Sequence, residues 1–90
     1  MDDTKERRAS VNISNCQFEP LFLKVEPATE IAFLNNDDHP HTVTSDDGSF
    51  DSGDIETEQN YIHVFEDPGI YNYHCKHHPE MKGQIAVEYY

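Results

Sequence analysis

The sequence has no tryptophan, only two cysteines, and six lysines and arginines against eighteen acidic residues. Each scarcity excludes something. The formal charge of -12 has the wrong sign for neutralising nucleic-acid phosphates, so nucleic acid is not an expected partner. It favours a basic or cationic one, although plain solvation accounts for the acidity equally well. Two cysteines, Cys16 and Cys75, exclude a disulfide-dense scaffold and allow one bridge at most. No stretch approaches the roughly 20 apolar residues that cross a bilayer, so no membrane span is expected. Residues 1–10 are charged rather than apolar, unlike a secretory leader, so none is expected within them.

Ninety residues suffice for one small domain, because a second core would leave each half too short to bury most of its apolar surface. With 36% hydrophobic and 27% charged residues that core is thin, and a bound ion would help to hold it. Residues 1–9 mix three acids and three bases with almost nothing apolar, which predicts a frayed tail followed by a single domain over 10–90.

What is present is alternation. Val11 and Ile13, then Leu21, Leu23 and Val25, then Ile31 and Phe33 place apolar side chains on one face at period two, the pattern of short half-buried strands. Tyr61, His63 and Phe65, Tyr71 and Tyr73, and Ile85, Val87 and Tyr89 repeat it in the second half, with no helical stripe between them. Breaks at Glu26-Pro27, Asn35-Asn36-Asp37-Asp38, Asp46-Asp47-Gly48 and Asp67-Pro68-Gly69 carry turn residues. Seven or so strands at this spacing predict an all-β fold, a two-sheet Greek-key β-sandwich, rather than a parallel α/β one.

The densest chemistry lies in residues 71–81, where Cys75, His78 and Met81 recur every third residue. Cys75 shares its strand face with Tyr71 and Tyr73, so its sulfur is expected to point into the sandwich, with His78 and Met81 curling back around it. Two imidazoles, one thiolate and a weak axial thioether make a copper electron-transfer site, so a second His is required. Of the six histidines, His41 is the choice: it follows the acidic turn at the start of the strand-like run 41–44. His39 is expected in the outer shell or on the surface, His77 adds polarity to the ligand loop, and His63 and His74 are expected to be structural or exposed. Zinc is the chemical competitor, but structural zinc sites usually use two or more Cys and rarely Met. Cys16, beside Phe18 with no histidine pattern near it, is expected to be a small buried filler.

The run Tyr71, Tyr73-His74-Cys75, with His78-Pro79 and Met81-Lys82-Gly83 after it, resembles the cupredoxins, the small blue-copper proteins, and within them the amicyanin type with its short Cys-x-x-His-x-x-Met loop. Phe18-Glu19-Pro20, Asn35, His41-Thr42-Val43, Phe50-Asp51-Ser52-Gly53 and Pro68-Gly69-Ile70-Tyr71 are similar to the plastocyanin-like parts of the same family. The resemblance implies His41, Cys75, His78 and Met81 as copper ligands, the set already reached from the residues. It further implies that Asn35 ties the ligand loops together, that the Thr42 amide donates to the Cys75 sulfur, and that His78 is the exit for the electron. Lys76, His77 and Glu80 depart from it by making the ligand loop more polar.

The expected function is therefore a type 1 copper protein carrying one electron by Cu(I)/Cu(II) cycling, with a redox protein as partner, possessing a basic docking surface. The alternatives are an open copper site doing small-molecule redox chemistry, for example on nitric oxide, and copper storage or delivery. An extracytoplasmic location, periplasmic or at the cell surface, is expected by analogy, with a leader or anchor removed from the sequence.

Overall fold

The alternating runs become eight β-strands in a computed structural model that describes residues 7–89. They are β1 (Arg8–Ser14), β2 (Gln17–Glu19), β3 (Phe22–Val25), β4 (Thr29–Asn35), β5 (Thr44–Ser45), β6 (Asn60–Phe65), β7 (Gly69–His74) and β8 (Lys82–Val87). There is no helix among the described residues. One sheet has the order β2-β1-β4-β6 and the other β3-β8-β7-β5. Both are mixed: β1 runs parallel to β4 and β3 parallel to β8, while the remaining pairs are antiparallel. This is the expected two-sheet sandwich, with one strand more than the turn count suggested.

The period of two decides what fills it. Val11, Ile13, Ile31, Phe33 and Phe65 from the first sheet meet Val25, Tyr73, Ile85 and Val87 from the second in one buried cluster. Tyr73 is its centre. Phe18 and Phe33 meet its ring edge-on, with centroids 4.8 and 5.5 Å away, a geometry that suits the ring quadrupoles. Room for the Tyr73 ring comes from Gly83, directly opposite it in the β7–β8 register; a Cβ there would collide with the ring.

Two boundaries differ from expectation. Arg8 and Ala9 fall inside β1, in register with Glu30 and Ile31 of β4, so pairing recruits two residues whose composition predicts a tail. The rest of the predicted tail, residues 1–6, lies outside the described residues. The strand expected over 41–44 is reduced to Thr44–Ser45, with His41 held by an isolated bridge to Ile55.

Because β1 and β4 are parallel, their C-terminal ends lie together. The β1–β2 turn and the β4–β5 loop therefore open at the same end of the sandwich, and the Asn36 amide bonds the Ile13 carbonyl there at 2.8 Å. The β7–β8 loop joins them, since β5 pairs with the last residues of β7.

Candidate metal centre

Cys75 follows β7 and continues its inward face, so its sulfur is fully buried. The chain then turns twice. The His78 amide bonds the Cys75 carbonyl at 3.2 Å, the Met81 amide bonds the His78 carbonyl at 2.8 Å, and the Cys75 amide closes back on the Met81 carbonyl at 3.1 Å. Ligand-type residues three apart thus fall at the corners of one closed loop. Met81 is buried and His78 half-buried.

His41 arrives from the other side. Its Nδ1 is 3.6 Å from the Cys75 sulfur, and Nδ1 of His78 is 3.8 Å from it. All three ligand atoms lie within 4.8 Å of one another. An ion bound trigonally at about 2.3 Å from sulfur and about 2.0 Å from nitrogen would hold those atoms about 3.7 Å apart. The trio therefore fits one transition-metal ion. The structure brings His41, Cys75 and His78 together, and Met81 sits at the end of the same loop.

Asn35, completely buried, donates from Nδ2 to the carbonyls of His39 and Ile55 at 2.9 and 2.8 Å and accepts the Asp37 amide at 2.8 Å. It fastens the His41 loop on both sides. The Thr42 amide donates to the Cys75 sulfur at 3.4 Å, and the Thr42 hydroxyl accepts the Lys76 amide at 2.8 Å. The Asn35 tie and the Thr42 amide bond are the roles that family resemblance implies.

One functional side chain was missed from sequence. Asp37, which composition marks only as a turn residue, holds the Nε2 of His41 at 2.7 Å. That contact makes Nε2 the protonated nitrogen and leaves the Nδ1 lone pair facing the sulfur. Burial pushes the Asp37 carboxyl up, but hydrogen bonds from the Cys16 amide, His41 and the Asn15 amide hold it below its ordinary value. Burial pushes His41 down, and the Asp37 contact only partly opposes this. The available signal was an Asp four residues before a candidate ligand.

The polar rim is present but tied sideways. Lys76 pairs with Asp51 at 2.6 Å and His77 with Asp54 at 2.7 Å; Glu80 is exposed. His74 faces away and bonds Asp46 at 2.6 Å, while His63 lies in a ring column with Tyr61, Phe50 and Phe65. His39 is half-buried, its ring centroid 4.6 Å from that of His41. Cys16, expected as a buried filler, is exposed. It occupies the tip of the β1–β2 turn, where Phe18 alone takes the inward position.

The cupredoxin-like domain family model matches residues 2–87. Among curated proteins, amicyanin-alpha of Methylorubrum extorquens is 30% identical over 83 residues, covering 87% of this chain and 70% of its own length. Amicyanin of Paracoccus denitrificans is 29% identical over 83 residues, with 87% of this chain and 63% of the relative covered. Among solved structures, a purple cupredoxin from Nitrosopumilus maritimus superimposes with a TM-score of 0.83 at 30% identity, covering 89% of this chain and 99% of that one.

Proposed function

Since this chain belongs to the cupredoxin-like family, we propose that His41, Cys75, His78 and Met81 hold one copper ion in a type 1 site through which the protein carries single electrons. The carrying observation is the buried trio, whose sulfur lies 3.6 and 3.8 Å from the two imidazole nitrogens. When bound, copper supplies the one-electron Cu(I)/Cu(II) couple. Thiolate and thioether suit the lower state and imidazole accepts both.

The chain's own part is to keep those donors still. Three backbone bonds close the Cys75–Met81 loop, Asp37 orients His41, and the Thr42 amide takes up negative charge on the sulfur. Little has to move when the charge of the site changes by one. His41, Cys75 and Met81 are buried, whereas His78 is half-buried, so His78 is the route by which an electron leaves. That arrangement favours carriage over small-molecule chemistry at the ion.

The partner is a redox protein with a basic docking face, a choice supported by the net charge of -12 and by the dependence of weak redox encounters on charge complementarity. No helix among the described residues is long and apolar enough to cross a membrane. We assign the protein to the outside of the cytoplasmic membrane, where competition for copper from thiols is weaker.

Titration of the metal-free protein with copper is expected to produce an intense visible thiolate-to-copper band at one equivalent. Cys75→Ser abolishes the band, and Met81→Leu keeps it while shifting the potential. A colourless copper adduct of the unaltered chain would overturn the assignment.

A further inference from the structure

We propose that Cys16, His39 and Asp37 form a second, solvent-facing metal site beside the first, taking one divalent ion of the zinc class. The three come from two segments that parallel pairing of β1 with β4 brings together. Their ligand atoms, with His41, all lie within 4.8 Å of one another. The Cys16 sulfur is 3.7 Å from Nε2 of His39, between the two sulfur-to-nitrogen distances of the first site.

His39 is prepared as a ligand in the same manner as His41. Asp38 Oδ1 holds its Nδ1 at 2.9 Å, which makes Nδ1 the protonated nitrogen and turns the Nε2 lone pair toward the sulfur. The run Asp37-Asp38-His39-Pro40-His41 thus carries two carboxylate–imidazole pairs in tandem, each facing its own cysteine. Asp37 accepts from the amides of Asn15 and Cys16 at 2.9 and 3.0 Å and holds His41 at 2.7 Å. Two carboxylate oxygens offer about four lone-pair positions, so one remains for an ion. His41 itself is committed to Asp37 and to the Cys75 side.

The surroundings favour a cation. The carboxylates of Asp37 and Asp38 flank the Cys16–His39 pair, Asp37 through the Cys16 amide and Asp38 through the His39 ring, and a positive ion bound among them would make the thiolate favourable. Thiolate, imidazole and carboxylate together are zinc-type donors, and three protein ligands leave a position open to water. Asn15 and Cys16 both have positive φ, 53° and 56°, as a two-residue hairpin turn requires. Glycine is favoured at the second place, where this chain keeps a thiol.

The experiment uses the protein already carrying one equivalent of copper. Cobalt(II), a coloured substitute for zinc, is expected to bind at one further equivalent with a near-ultraviolet thiolate-to-cobalt band, which zinc(II) then removes. Cys16→Ser abolishes that band and His39→Ala weakens the binding, and the visible copper band survives in both. In metal-free Cys75→Ser the cobalt band persists, so loss of the first site and loss of the second are told apart. Zinc(II) also slows alkylation of Cys16 by iodoacetamide in the copper-loaded protein. Alkylation at one rate with and without zinc would reduce the contact to a plain thiol–imidazole hydrogen bond and overturn the proposal. So would a cobalt band that survives Cys16→Ser but not Cys75→Ser.

Discussion

Asp37 touches a proposed copper ligand without being one, and its effect is electrostatic. Its carboxylate is hydrogen-bonded to His41 and fixed by two backbone amides, so its negative charge acts on the ion through the imidazole. A negative charge stabilises Cu(II) more than Cu(I). Asp37→Asn is therefore expected to raise the reduction potential while leaving the visible band in place, as voltammetry and absorption of the same sample would show. An unchanged potential would mean that solvent screens the pair. Cys75, His78 and Met81 were legible from sequence because all three lie on one short loop, where spacing alone puts them together. With His78 already on that loop, His41 required a choice among the five other histidines, made on its place after an acidic turn and at the start of a strand-like run. Asp37 and Cys16 were not legible in their roles. The contact of Asp37 with His41 is local, four residues apart, but those that join Asp37 to Asn15 and Cys16 link two loops 21 to 22 residues apart, and no local pattern reports such a pairing.

Among the elements, β7 and β8 bear the most demanding contact. Gly83 stands opposite Tyr73 in the register, and the fully buried Tyr73 ring occupies the space of the missing side chain. Gly83→Ala forces that ring against Phe18 and Phe33, which overpacks the core at a cost of about 1–3 kcal/mol; denaturant unfolding measures it. Alternation made β1, β3, β4, β6, β7 and β8 readable, because one face of each is buried. β2 and β5, of three and two residues, were beyond it. They exist through their partners, β2 by the hairpin onto β1 and β5 by pairing with the end of β7.

For the whole molecule, charge and protons set the response to conditions. His41 and His63 are both pushed below their ordinary value of 6.5 by burial. The unfolded chain therefore binds more protons once the pH falls below that value, and stability drops as it does. The metal-free protein is expected to be most stable above about pH 6.5 and to show a falling Tm from about pH 7 to about pH 5. Asp51, held at about 2 by the hydrogen bond from Lys76, adds its own loss only below 3.8. With a net charge of -12, electron exchange with a cationic reagent slows as salt shortens the screening length from about 30 to about 8 Å. Exchange with an anionic reagent accelerates, and stopped-flow rates against ionic strength would show both. The interleaving of the strands reaches further. β1 to β5 precede the 56–59 turn and β6 to β8 follow it, yet each sheet draws strands from both sides. A chain cut at that turn would yield two fragments, one holding His41 and the other Cys75, His78 and Met81. Neither fragment could complete a sheet or the four-residue ligand set by itself, so the blue colour of added copper would report their reunion.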